Sequence, residues 1–301
     1  MQNHDFGRKV LGIGAAAWLG WKLIRKARED DIDGSVVAIT GGSRGLGFLL
    51  AREFGRHGCS VAVCARDVQE LENACTDLEG EGIETLPVVA DISDRAQAEE
   101  FIRRTAEYFS RIDILVNNAG IIQVGPLQTM RVEDFERAMA INFWGSVYCT
   151  FAALPYMRRL GHGRIVNITS IGGKVAVPHL LPYDCAKFAL VAFSEGAAAE
   201  LAREGIKVTT IVPGLMRTGS FVHAQFKGNQ EREYTWFKLG STTPLTAMNA
   251  TRAAKRIVAA TRRGEAELTL TWQAALLRGL NGVSPGATVR GLAAVNRLLP
   301  H

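Results

Sequence analysis

From Ser35 onward the chain alternates short, unbroken apolar runs with longer stretches in which apolar residues recur at helical spacing. The runs are "SVVAIT" (35–40), "SVAVCA" (60–65), "TLPVVA" (85–90), "DILVNN" (113–118), "RIVNIT" (164–169), "KVTTIV" (207–212) and "AELTL" (266–270). Most are continuously apolar, which suits strands covered on both faces. Helix-length stretches fall between them at 45–57, 67–79, 94–109, 131–159, 183–203 and 248–262. This alternation predicts an α/β fold, a doubly wound, mostly parallel seven-stranded Rossmann-type sheet with helices on both faces. The connection 219–247 is long for a compact domain and reads as a functional lid. Two flanks stand apart: residues 1–30 hold an apolar stretch between basic residues, and 272–301 read as helical without any acid. The expected organisation is an N-terminal segment 1–30, an α/β domain over 31–271 and a basic helical tail over 272–301.

Composition changes little in this picture and excludes some classes. The 301 residues are 47% hydrophobic and 22% charged, enough for a large core, and 31 glycines against nine prolines suit many tight strand-to-helix turns. Cysteines 59, 64, 75, 149 and 185 form no CxxC pair and no metal-ligand rhythm with histidine, so no metal site is expected. They read as reduced, packed thiols of a reducing compartment. The net charge of +5 is spread among interleaved acids, which argues against nucleic acid as a partner.

The chemistry begins after the first strand, at "TGGSRGLG" (40–47). Gly41, Gly45 and Gly47 allow a tight turn and close approach of the backbone to a pyrophosphate, and the next helix presents its N-terminus there. The strand–turn–helix context is what makes this glycine pattern a dinucleotide signal. The second strand ends "VCARD", with Cys64 and Ala65 where an acid would hold the ribose of NAD. Arg66 and Arg44 can instead grip a 2′-phosphate, which favours NADP(H). The alternative is that both arginines are merely solvated and that Asp67 takes the acid's part.

A second signal lies in "LPYDCAKFAL" (181–190). Tyr183 and Lys187 are one helical turn apart, behind a proline that suits only a helix start. A nearby cation lowers the proton affinity of a phenol, so the lysine is expected to tune the tyrosine for proton exchange near neutral pH.

Together the glycine turn and the YxxxK resemble the short-chain dehydrogenase/reductase family over roughly residues 35 to 270. "NNAG" (117–120), "ADIS" (90–93), "INFWG" (141–145) and "VPGLMRT" (212–218) match further family motifs in order. The resemblance implies a catalytic set of Asn142, Ser170, Tyr183 and Lys187. Ser170 is chosen over the adjacent Thr169 because the family's usual gap to the tyrosine is about 13 residues, and 183 − 170 = 13. It also implies cofactor contacts from Gly41, Ser43, Arg44, Gly45, Leu46 and Gly47 of the turn, from Arg66, and from Asp91 and Ile92 beside the adenine. Asn118, Ala119 and Gly120 would follow, then Tyr183 and Lys187 at the nicotinamide ribose, then Pro213, Gly214, Leu215 and Thr218. The activity implied is interconversion of a carbonyl and an alcohol with NADP(H), in a homo-oligomer. A protein that binds the dinucleotide as a sensor or scaffold has no need of the whole catalytic set.

Weaker candidates surround this set. His179 and Lys174, between the serine and the tyrosine, either touch substrate or serve only the loop, and Cys185 reads as a packed thiol. Phe221, Phe226, Trp236 and Phe237, with Leu215 and Met216, line an apolar pocket for a small lipophilic substrate or pack the lid. "VLGIGAAAWLGWKLI" (10–24) is apolar all round except Lys22, and its fifteen residues span about 22 Å as a helix. Its basic C-terminal flank would hold the α/β domain on the cytoplasmic side of a membrane. The acid-free tail, with Arg278, Arg290 and Arg297, supports membrane contact. Packing of both flanks on the domain or across a dimer, in a soluble cytoplasmic protein, is the alternative.

Overall fold

A computed structural model describes residues 29–217, 219–242 and 247–300. Seven strands form one sheet: β1 (Val36–Thr40), β2 (Ser60–Ala65), β3 (Thr85–Val89), β4 (Ile114–Asn117), β5 (Gly163–Ile168), β6 (Ile206–Val212) and β7 (Glu267–Thr269). Their order is β7-β6-β5-β4-β1-β2-β3, and every pairing is parallel. The seven apolar runs are these strands. The helices are α1 (Gly45–Gly55), α2 (Val68–Gly80), α3 (Arg95–Phe109), α4 (Val132–Met139), α5 (Gly145–Leu160), α6 (Leu181–Leu201), α7 (Gln230–Thr242), α8 (Ala250–Arg263), α9 (Trp272–Val283) and α10 (Pro285–Asn296).

The continuous apolar runs follow from the two layers of helix. Successive side chains of a strand point to opposite faces. Val37 and Ile39 of β1 pack with Leu50 and Phe54 of α1 and Ile257 of α8, whereas Ala38 joins Phe101 and Ile102 of α3 and Met157 of α5. Both faces are buried, so neither set of positions can be polar. Each fully buried Leu, Ile or Phe contributes about 1.5–3 kcal/mol of transfer free energy.

Two departures from the expected pattern concern the site. The stretch 131–159 is not one helix. Between α4 and α5 lies a π-helical turn, Ala140–Trp144, which carries Asn142. Such turns are uncommon and mark places where one side chain is aimed for a purpose. Asn142 is fully buried, and its amide accepts from Ile121 N–H (3.0 Å) and donates to the Ile121 carbonyl (3.1 Å). The long connection 219–247 is also not a plain loop, because it contains α7. At its base the two-residue segments Met216–Arg217 and Met248–Asn249 pair in parallel, and Gln225–Phe226 pairs with Gln123–Val124.

The tail forms two helices, α9 and α10, packed on each other. Among the described residues no helix is long and apolar enough to cross a membrane. The proposed anchor at 10–24 lies in residues 1–28, outside the described residues.

Candidate active site

The glycine turn leaves β1 and enters α1. Gly41 has φ +65°, and a Cβ there would come within 2.8 Å of Ala119 Cα. A Cβ on Gly47 would overlap the Gly41 carbonyl and lie 2.5 Å from Asn118 Nδ2. Any side chain at either place would push the two loops apart. They are joined by Asn118 Nδ2, which donates to the carbonyls of Thr40 (3.0 Å) and Gly41 (2.9 Å). The Thr40 hydroxyl in turn accepts from the N–H groups of Asn118 and Ala119. One residue earlier, buried Asn117 donates to Thr150 and Asn167, tying β4 to α5 and β5. At the start of α1, Arg44 stands at the N-cap without a side-chain cap, and Gly45, Leu46 and Gly47 bring no acid to the first turn. This helix start therefore offers its N–H groups and positive dipole end to an anion. These features fit a dinucleotide pyrophosphate.

The arginines expected at a 2′-phosphate both have carboxylate partners. Arg44 Nη1 reaches both oxygens of Glu70 at 2.7 and 2.9 Å, and Ser43 Oγ donates to Glu70 at 3.4 Å. Arg66 Nη1 lies 3.6 Å from Asp91 Oδ2. Both guanidinium groups are about half exposed, so these surface pairs are weak and can be exchanged for a stronger anion. Asp67 is not free to hold a ribose: its carboxylate caps α2 by accepting from Glu70 N–H at 2.8 Å. Asp91 accepts from the backbone and hydroxyl of Ser93, at 3.0 and 2.7 Å, and these bonds with the Arg66 charge hold it below the usual carboxylate range. Ile92 is buried beside Gly145.

The phenol and the ammonium share the first two turns of α6, with Pro182 in its first turn as expected. Ser170 hydrogen-bonds the Tyr183 hydroxyl, and Lys187 Nζ lies 5.7 Å from the centre of the Tyr183 ring. Thr169 is spent elsewhere, since its buried hydroxyl donates to the Ile211 carbonyl. Only Ser170 of that pair faces the tyrosine. Asn142 and Lys187 border the same spot: a Cβ on Gly120 would lie 2.5 Å from Asn142 Oδ1 and 3.7 Å from Lys187 Nζ.

The electrostatics differ from the simple picture of a lysine lowering a phenol. Burial dominates both groups and favours the neutral form of each. It pushes the Tyr183 hydroxyl up to about 12, against the Ser170 hydrogen bond. It pulls the Lys187 ammonium down to about 7, while Nζ donates to the Ile168 carbonyl at 2.8 Å. Lys187 can therefore exchange a proton near neutral pH itself.

A third ionisable group was not singled out by sequence. Asp184, next to the tyrosine, is 1% exposed, and burial pushes it up to about 8. Its Oδ2 accepts from Val177 N–H at 2.6 Å. An acid directly after the tyrosine, in an otherwise apolar helix start, was the available signal.

The remaining candidates border this set. The Pro213 carbonyl accepts from Ile171 N–H at 2.8 Å, Gly214 packs against Thr271, and the Leu215 carbonyl accepts from Met248 N–H at 2.9 Å. Thr218 and the Phe221 side chain lie outside the described set. Cys185 is not packed. It faces outward from α6 beside exposed Phe188, while the other four cysteines are buried. Its neighbours Asp184, Ala186 and Lys187 take the inward positions of that turn. Lys174 is engaged by Glu195 and Glu267, away from the tyrosine. Phe226, Tyr234, Trp236 and Phe237 pack edge-to-face on one another, and Phe237 is buried.

This geometry has counterparts among known proteins. A family model described as short chain dehydrogenase matches residues 35–227. An 11-beta-hydroxysteroid dehydrogenase-like 6 protein of Arabidopsis thaliana is 38% identical over 253 residues, covering 81% of this chain and 71% of that protein. A dehydrogenase/reductase SDR family protein 7-like of Drosophila melanogaster is 33% identical over 249 residues, covering 81% of this chain and 74% of its own. Among solved structures, a short-chain dehydrogenase from Streptomyces avermitilis superposes with TM-score 0.74 at 27% identity, covering 88% of this chain and 98% of that one. A Burkholderia phymatum short chain dehydrogenase/reductase in complex with NAD shares the fold, with TM-score 0.79 at 22% identity over 84% of this chain and 94% of that one. A glycine cradle, a serine, tyrosine and lysine around one point, and a family model covering most of the chain agree: this protein belongs to the short-chain dehydrogenase/reductase family of oxidoreductases.

Proposed function

We propose that the chain is an NADP(H)-dependent reductase or dehydrogenase that interconverts a carbonyl and an alcohol on a lipophilic substrate. The observation that carries this reading is the meeting of Ser170, Tyr183, Lys187 and Asn142 beside the glycine cradle. NADP(H), when bound, supplies or accepts the hydride. In the reductive direction Tyr183 gives its proton to the carbonyl oxygen, which Ser170 holds by a hydrogen bond. A neutral phenol is the form required for that donation. Lys187, titrating near neutrality, restores the proton, and Asn142 beside it is the next station toward solvent. The cofactor is held by the turn 41–47, by Asn118–Gly120 and by Pro213–Leu215, with Thr218 beyond them. Oxidation of NADPH against a panel of ketosteroids, retinals, ketoacyl thioesters and quinones tests the reading, which fails if none is turned over in either direction.

The preference for NADP(H) is supported by the absence of an acid at Cys64 and Ala65 and by the use of Asp67 as a cap. Arg66→Ala should weaken NADPH roughly tenfold or more, the loss of a charge-assisted contact, with little effect on NADH. Equal losses for the two cofactors, read by fluorescence titration, would remove the 2′-phosphate role. A lipophilic substrate is supported by the aromatic lid and by the name of the plant relative, a hydroxysteroid dehydrogenase-like protein. A homo-oligomer is supported by aromatic side chains left in the open on the helical layer, Trp144, Phe151 and Phe188.

We also propose contact with a membrane. On α9, Trp272, Leu276, Leu280 and Val283 recur at helical spacing, and all are exposed. No acid follows Glu267, and Arg290 and Arg297 add positive charge. A face of this kind suits an anionic lipid surface, with the apolar stretch 10–24 as a second attachment. Cell fractionation should place the full chain with membranes and release a chain beginning at Asp31, at least in part. If both stay in the soluble fraction without detergent, the attachment is wrong.

A further inference from the structure

His179 lies four residues before Tyr183, on the loop between Ser170 and α6. Its backbone is left-handed, with φ +69°, a conformation that a non-glycine residue keeps only where its surroundings demand it. Its carbonyl accepts from Gly125 N–H at 2.9 Å. Its ring is buried, and Nδ1 meets Glu233 Oε1 at 2.8 Å. Glu233, on α7, is fully buried, and its second oxygen accepts from Trp236 Nε1 at 2.6 Å. The rings of His179 and Trp236 stand edge-on, 6.4 Å apart. A carboxylate in such a place is costly unless both oxygens are partnered, and here both are.

Three segments thus converge on one imidazole: the loop after β4, the loop that leads into the catalytic turn of α6, and the lid helix. The first strand of the lid is fastened separately. Gln225 N–H donates to the Ile122 carbonyl and Lys227 N–H to the Val124 carbonyl, both at 2.9 Å, and Lys227 pairs with Asp134. Glu233 carries the connection from α7 to the loop before Tyr183. Val177 of the same loop is pinned to Asp184, the residue after the tyrosine. A displacement of α7 therefore reaches the catalytic turn through His179 and Val177.

We propose that His179 and Glu233 are positioning residues: their buried hydrogen bond makes seating of the lid helix α7 and placement of the loop that presents Tyr183 a single event. Contacts made by the far end of a substrate under α7 are then felt at the reacting carbonyl, the way remote binding energy is turned to orientation. The kinetic part of this inference rests on the reductase reading above; the coupling itself does not.

The test compares the full-length chain with His179→Ala, Glu233→Ala and the double variant. Hydrogen exchange is followed in residues 174–180 and 230–242, and KM and kcat are measured for the best substrate of the panel. Each single variant should speed exchange in both segments while the β-strands keep their protection. Each should raise the substrate KM about tenfold with the KM for NADPH unchanged, and the double variant should lose no more than the worse single, as coupled residues do. Faster exchange in only the mutated segment, or losses that simply add, would overturn the proposal. If no panel substrate is turned over, the reductase reading falls alone, and the exchange data still decide the coupling. Should the alanine variants fail to fold, Glu233→Gln and Trp236→Phe keep the side-chain volume, and wild-type exchange and KM in both would overturn it equally.

Discussion

Tyr183→Phe should lower turnover about 100-fold or more, the scale for removing a positioned general acid, while NADPH still binds. The ring stays, so the packing beside Lys187 is preserved and only the hydroxyl is lost. Its proton is the one placed, with Ser170, to complete reduction of a carbonyl. Steady-state kinetics with the best panel substrate and a separate NADPH titration separate chemistry from binding. A variant with near wild-type turnover would sink the mechanism.

Asp184→Asn should change how stability depends on pH, and the sign follows from the two buried groups flanking the catalytic turn. Folded Asp184 keeps its proton to about pH 8, against an ordinary value of 3.8. Between those values the folded chain binds the extra proton, so stability falls as pH rises. Lys187 acts in the other direction. Folded, it gives up its proton near 7 instead of 10.5, so from 7 to 10.5 the unfolded chain binds the extra proton and stability rises with pH. From about pH 4 to 7 the Asp184 slope acts alone, between 7 and 8 the two oppose, and above 8 the Lys187 slope remains. Asparagine can still accept from Val177 N–H and never ionises. Apart from an offset that does not vary with pH, the variant should gain on wild type by a few kcal/mol between pH 4 and 9, because one pKa unit is worth about 1.4 kcal/mol. Urea unfolding of both chains across that range checks it. Parallel curves would show that Asp184 ionises normally in the folded chain.

The fold was legible because its determinants are local and repeated. Each strand is an unbroken apolar run, and the two faces of β1, with Val37 and Ile39 on one and Ala38 on the other, explain why no polar alternation appears. The glycine turn and the Tyr183–Lys187 pair were legible for the same reason, since each is a short spacing on one element. Helix α7 was not. Its sequence, "QEREYTWFKLGST", has no clean apolar stripe, because Glu233 takes an inward position that pattern reasoning gives to an apolar residue. The break at Asn142 was hidden because a π-helical turn keeps helical composition while shifting the register by one residue. Cys185 reads as core from its apolar neighbours, yet the turn of α6 points it outward.

The sequence by itself determined the order of seven strands, the place of the phosphate turn and the spacing of the phenol and ammonium, because each depends on residues near one another along the chain. The tertiary structure alone decided which of two neighbouring hydroxyls faces the tyrosine, by committing Thr169 to the Ile211 carbonyl. It alone decided the partners of Arg44 and Arg66, drawn from residues about 25 positions away (70 − 44 = 26 and 91 − 66 = 25). It also decided charge. A sequence names the groups that can ionise, but how tightly each holds a proton depends on how much water and which partners the fold leaves around it. For that reason Tyr183 is held high and Lys187 low, although their spacing alone suggested that the lysine would draw the phenol down.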